Sequence, residues 1–104
     1  MAKKRTVKKT TTKSVQSSNH SFEVGKAYFI RSVTMYYTGR ITRITDTDII
    51  LDDAAWIADT GRFATALKTG VFNEVEPFVD PVIVQRGSIV DATAWSHLLP
   101  REQK

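Results

Sequence analysis

Residues 27–57, AYFIRSVTMYYTGRITRITDTDIILDDAAWI, constrain this chain more than any other stretch. Two long runs of β-branched and aromatic residues surround Tyr37-Thr38-Gly39-Arg40-Ile41, then Ile49-Ile50-Leu51 gives way to acid at Asp52-Asp53. Residues of this type fit a pleated, partly buried surface. From Ala27 the pattern alternates, with Tyr28 and Ile30 on one side and Phe29, Arg31 and Val33 on the other, as in a strand with one buried and one partly covered face. Thr34-Met35 marks the bend into a second strand over residues 36–45, although no Gly or Asn stands at the tip. That strand places Tyr37, Gly39 and Ile41 on one face, and Ile44 then breaks the period of two. The phase change predicts a bulge near Arg43, or a strand passing from one sheet to another. Gly39, in mid-strand, marks a bend or a close backbone approach. After the polar loop Thr45-Asp46-Thr47-Asp48, a third strand runs from Ile49 through Asp52-Asp53 to Trp56-Ile57. The stretch reads as the first half of a small, strongly bent β-barrel.

The flanking segments follow from it. A short helix is expected over residues 62–69, with Asp59 or Thr60 capping its start, Phe63, Ala66 and Leu67 on one face, and Gly70 ending it. Two turns are too few to be stable alone, so this helix must dock on the barrel or on a neighbouring subunit. Pro77 and Pro81 exclude a central strand at those points. Val82-Ile83-Val84 is the fourth strand, Gln85-Arg86-Gly87-Ser88 a tight turn with Gly87 at positive φ, and residues 89–95 the fifth. In the fifth, alternation puts Val90, Ala92 and Ala94 opposite Ile89, Asp91, Thr93 and Trp95. Leu98-Leu99 either fold back on the barrel or reach a partner, and Trp56 and Trp95 are packing or subunit-contact anchors.

Charge divides the chain in two. Residues 1–20 carry six basic side chains and no acid, while residues 21–104 carry nine basic against eleven acidic ones, so the formal +4 splits into +6 and −2. A high isoelectric point therefore belongs to the leading segment and not to the folded body. Residues 1–21, rich in Lys, Arg, Thr and Ser, are expected to form a disordered basic arm, and residues 22–104 the single domain. Lys3, Lys4, Arg5, Lys8 and Lys9 of the arm suit phosphate neutralisation, set against a purely solubilising role.

Several chemistries find no support. The chain has no cysteine, which excludes disulfides, thiolate metal sites and cysteine nucleophiles. No apolar run approaches a membrane span, and the basic start lacks the apolar core of a secretory signal, so a cytoplasmic protein with no membrane partner is expected. The spacing of His20 and His97 favours neither a metal site nor a Ser-His-Asp arrangement. Asp46, Asp48, Asp52, Asp53 and Asp59 match no calcium loop and suit loop capping and solvated strand ends. No enzyme activity and no cofactor are implied. Tyr36, Tyr37, Arg40 and Arg43, with Arg31 and Arg86, are the candidates for a recognition surface, because rings and guanidinium planes stack on bases. The competing reading makes Tyr37 core and pairs the arginines with Asp52, Asp53 or Glu74.

Tyr37-Thr38-Gly39-Arg40-Ile41, followed by Leu51-Asp52-Asp53-Ala54, resembles the first motif of the Sm-like proteins (Sm, Lsm and Hfq), and Val84-Gln85-Arg86-Gly87-Ser88-Ile89-Val90 resembles the second. The resemblance implies an all-β, five-stranded small barrel with one short inserted helix. It further implies a ring-like homo-oligomer that binds RNA, DNA or nucleotide without catalysis, with Arg86 and Gly87 at the pocket and Tyr36, Arg40 and Arg43 on an exposed face. The chain departs from the family in its loop of residues 45–48, which lacks the base-reading Asn and carries two acids. Residues 34–43, 55–63 and 73–77 are also similar to small proteins of tailed-bacteriophage genomes, which implies the alternative of a structural or accessory protein that contacts virion proteins, its arm serving as an assembly tether.

Overall fold

In the computed structural model, which describes residues 21–104, Gly39 of one strand lies so close to Leu51 and Ala54 of the next that a side chain there would meet them. The strands are β1 (Ala27–Ser32), β2 (Tyr36–Ile44), β3 (Asp48–Asp59), β4 (Glu74–Pro77), β5 (Val82–Gln85) and β6 (Ile89–Ala94), with the helix α1 (Phe63–Thr69) between β3 and β4 and a 3₁₀ turn at Arg86–Ser88. All pairings are antiparallel. The order is β4-β3-β2-β1-β6, and β5 lies beside the first residues of β3, which pair with it as Ile49↔Val84 and Leu51↔Val82. The chain is thus all-β with one short helix, as expected. The expectation of a closed five-stranded barrel is corrected on two points. Glu74–Pro77 is a sixth strand, with Pro77 tolerated because β4 is the strand at one end of the path, and no ladder among the described residues joins β6 to β4 or β5, so the sheet stays open.

The expected phase change is real and has a counterpart. Pairing steps from Ile41↔Leu51 to Arg43↔Ile50, so Thr42 is the extra residue of a bulge in β2, and both Ile41 and Ile44 turn inward. On the facing strand, pairing steps from Thr38↔Ala55 to Arg40↔Asp52, which leaves an extra residue opposite Gly39. Asp53 there takes φ 50°, the left-handed value that bends the strand. A third irregularity, at Arg31/Ser32 against Asp91/Ile89, leaves Val90 of β6 without a ladder partner and turns Ile89 and Ala92 to the same cluster. This overrides the strict alternation expected for residues 89–95.

Because of these bends both faces of β1 are covered. Tyr28 and Ile30 join Ile41, Ile49, Leu51, Ala54 and Val84 in one core cluster, while Phe29 joins Ala55, Ile57, Ala66, Phe72, Val75 and Trp95 in a second. The second cluster is where α1 docks, with Phe72 stacked on Trp95 at 5.1 Å between centroids. The start of α1 differs from expectation. Asp59 Oδ1 accepts from the Gly61 amide at 2.8 Å, and the helix begins only after Arg62, with no side-chain cap. Its end is as expected, with Gly70 at φ 78° donating to Ala66 O.

Two turns that lack glycine are held by hydroxyls. Ser32 Oγ donates to Met35 O at 2.7 Å and accepts from Met35 N, closing the β1–β2 bend. Thr45 Oγ1 accepts from the amides of Thr47 and Asp48 before β3. The carboxyl-terminal residues fold back, with Leu99 packed on the second cluster, Arg101 donating to Ala54 O and Phe78 O, and Lys104 exchanging two backbone hydrogen bonds with Val75. Leu98, beside Leu99, stays exposed. No described helix is long and apolar enough to cross a membrane.

Candidate interaction surfaces

The residues singled out for recognition do not meet on one face. Tyr36 opens β2 and Arg43 lies near its far end, roughly 23 Å away at strand rise. Tyr36 turns toward the second core cluster and packs edge-on against Phe29, with centroids 5.9 Å apart. Tyr37 packs against the first cluster, as the core reading had it.

Around Tyr36 the chain builds a cluster of its own. Arg31 Nε donates to Asp91 Oδ1 at 2.8 Å, and its Nη2 pairs with Asp91 Oδ2, which makes the contact bidentate. The Arg31 guanidinium carbon lies 5.3 Å from the Phe63 ring centre and 6.0 Å from that of Tyr36. The hydrogen bond from Arg31 holds the Asp91 carboxyl below its usual range, and Asp91 in turn raises the Arg31 guanidinium. Both groups are thus fixed in their charged forms across the β1–β6 ladder, where they stand directly opposite. Arg31, Ser32, Val33, Tyr36 and Val90 line an open cleft of about 220 Å³ beside this pair. The sequence offered Arg31 as a candidate; its partner was hidden because nothing local indicates which strand lies beside β1.

The other cations have internal work. Arg40 pairs with Asp53, whose second oxygen lies 3.9 Å from Arg101 Nε, so the two arginines brace the left-handed bend of β3 from either side. Arg86 Nη1 donates to Thr45 O at 2.5 Å and its amide to Thr47 O at 2.8 Å, which ties the 3₁₀ turn to the loop before β3. Gly87 does not have the positive φ expected of it, and a Cβ there would meet nothing within 4 Å. That corrects the tight turn around Gly87: the 3₁₀ geometry of Arg86–Ser88 reverses the chain without left-handed backbone. Arg43 pairs with Ile50 in the β2–β3 ladder, and its side chain alone among these arginines has no hydrogen bond or ion pair to a described residue. Lys3, Lys4, Arg5, Lys8 and Lys9, with the arm expected around them, lie outside the described residues.

What remains open is strand edge and apolar surface. β5 has one hydrogen-bonded neighbour, β3, and β6 has one, β1, so among the described residues each keeps a free edge. Ile83 on β5 and Val90 on β6 are 64% and 63% exposed, and Val33, beside Val90 in the cleft, is 74% exposed. A second cleft, of about 190 Å³, lies along β6 between Ile89, Asp91 and Ala92 on one side and Ser21, Phe22 and Tyr28 on the other. Among the described residues no group of three or more His, Asp or Glu is placed to hold a metal ion.

Compared with protein-family models, with curated proteins and with solved structures, the chain finds no match in any of the three.

Proposed function

We propose that this protein is a non-enzymatic interaction module. Its folded part makes protein contacts, first of all with further copies of itself, through the open edges of β5 and β6, and its lysine-rich leading residues contact polyanions such as RNA or DNA. One observation carries this reading: Arg31, Arg40 and Arg86 are engaged by Asp91, Asp53 and Thr45 O, whereas two strand edges bearing Ile83 and Val90 have no partner among the described residues. An arginine already paired must give up its carboxylate before it can take a phosphate, and the body around it is net acidic. A free edge presents unpaired N–H and C=O groups and pairs readily with another chain.

This reading takes up the assembly alternative, in which a phage or other structural complex supplies the partner and the arm is its tether. It also keeps the ring-like homo-oligomer that the Sm-like resemblance implies. Nucleic-acid or nucleotide binding by the body is the second reading, favoured by the Arg31–Tyr36–Phe63 stack beside an open cleft. In either case a cytoplasmic setting fits a chain without cysteine.

Light scattering coupled to size exclusion, with the ultraviolet spectrum read on the peak, tests the proposal. Self-association that is lost in an Ile83→Lys, Val90→Lys variant, with no excess absorbance at the nucleic-acid band once salt has stripped the arm, supports it. A protein that stays monomeric at every concentration, or an oligomer indifferent to both lysines, refutes the role given to these edges.

A further inference from the structure

The described chain begins beside β6, a strand that keeps a free edge among the described residues, and the residues before that point have the composition of a strand. Ser21 and Phe22 form one wall of the cleft whose other wall is Ile89, Asp91 and Ala92 of β6. Residues 6–15, TVKKTTTKSV, contain Thr6, Val7, Thr10, Thr11, Thr12 and Val15, six β-branched side chains in ten positions, with no Gly and no Pro. Such residues favour extended backbone but bring too little apolar area to be ordered without a template. Gln16-Ser17-Ser18-Asn19-His20 joins this segment to the cleft, a polar link of five residues that spans up to about 17 Å when extended.

We propose that residues 6–15 of one copy add as a strand to the open edge of β6 in a second copy. The proposal rests on the edge-mediated association given above and names what occupies the edge. Strand addition draws its affinity from main-chain hydrogen bonds, which β6 offers along one whole side, and it asks of the guest only β-compatible residues. Charge favours it, since Lys8, Lys9 and Lys13 of the guest approach a body that carries a net −2 over residues 21–104. Exchange between copies is mutual for a geometric reason. Each guest segment departs from beside its own β6, so two copies that bring their β6 edges together place each donor within a link's reach of the other's acceptor. A symmetric pair then satisfies both edges with one type of contact.

The test uses the full chain carrying Thr10→Pro and Thr12→Pro. These changes keep every charge and alter no residue of the two core clusters, but they remove two amide donors and disfavour strand geometry. Oligomeric state is followed by light scattering across concentration, and hydrogen exchange is read at the amides of residues 89–94. The expected result is a parent that associates with protected β6 amides, and a proline variant that needs about tenfold or more protein to associate and exchanges at β6 correspondingly faster. If the variant associates as the parent does with unchanged exchange, the arm is not the guest, and the reading of body edges in contact stands without it. If the parent is monomeric throughout, both fall. A monomeric parent whose β6 protection disappears in the variant means that the segment pairs with its own edge, which overturns the exchange between copies.

Discussion

Gly39 and Gly87 offer a matched pair of substitutions that isolates the close strand crossing from everything else glycine does. A methyl group at Gly39 would lie 2.9 Å from Leu51 Cβ, 3.2 Å from Leu51 Cδ1 and 3.3 Å from Ala54 Cβ. Ordinary carbon contacts sit near 3.5–4.0 Å. Leu51 and Ala54 are fully buried, and Leu51 is held between the β2 and β5 ladders, so neither can move aside cheaply. Overpacking of this kind costs about 1–3 kcal/mol, and the reduced freedom of the unfolded chain returns about 0.4–1 kcal/mol. Gly39→Ala should therefore lose about 1–2 kcal/mol net, a fall in Tm of roughly 5–15 °C for a domain of this size. Gly87 has ordinary φ and open space around it, so Gly87→Ala should be neutral or gain up to about 1 kcal/mol. Thermal and urea unfolding followed by the fluorescence of Trp56 and Trp95 measures both. If Gly39→Ala melts at or above Gly87→Ala, the pivot does not exist as drawn, and with it goes the reason β3 bends at Asp53.

Three further outcomes are expected. Thr38 is fully buried with no partner for its hydroxyl among the described residues, so Thr38→Val should stabilise the fold by about 1 kcal/mol in the same unfolding assay, and a loss would mean that the hydroxyl is satisfied. Asp91 has a lowered pKa when folded, so its pairing stabilises fully above the unfolded carboxylate value near about 3.9 and is lost as pH falls through the lower folded value. Asp91→Asn should thus be less stable than the parent at neutral pH and converge on it in acid; a constant gap from pH 7 to pH 2 would refute the assignment. If polyanion binding belongs to the arm, its six charges set a limiting slope of about −5 in log affinity against log salt on duplex DNA, and replacing Arg31 or Arg86 should leave that slope unchanged.

The sequence made the strands legible wherever side-chain period and turn chemistry agreed. Ile44 after Ile41 announced the β2 bulge, and Gly39 announced the close approach, because each broke a local pattern that only backbone geometry explains. The bulge at Val90 left no such mark, since Ile89, Val90 and Ala92 are apolar in either phase. The bend at Thr34-Met35 and the loop after Ile44 were placed, but their Ser32 and Thr45 clamps were not, because a hydroxyl clamp uses a common residue type that stands elsewhere for many other reasons. β4 was missed because Pro77 argues against a strand until one knows that Ala55 is its only ladder partner. The candidate arginines were legible as cations but not as partners. Pairing Arg31 with Asp91 requires the sheet order, and Arg40 with Asp53 requires the left-handed bend that brings that carboxylate round.

That bend also explains why this chain has edges to offer. An extra residue at Asp53 turns the second half of β3 away from the first, so one side of a single long strand takes β5 at residues 48–51 and β4 at residues 55–59. Splitting the partners in this way leaves β5 with four residues of ladder and no further strand beyond it among the described residues, while β6, reached through the 3₁₀ turn, goes to the opposite end of the sheet beside β1. The 3₁₀ turn Arg86–Ser88 connects β5 to β6, and Arg86 is anchored to Thr45 and Thr47 on the β3 side. The arginine that sequence resemblance placed in a binding pocket thus ties the 3₁₀ turn to the loop before β3. An Arg86→Ala variant separates these roles: release of the 3₁₀ turn should change hydrogen exchange at β5 and β6 and shift self-association, whereas a pocket residue would alter ligand affinity and leave both unmoved.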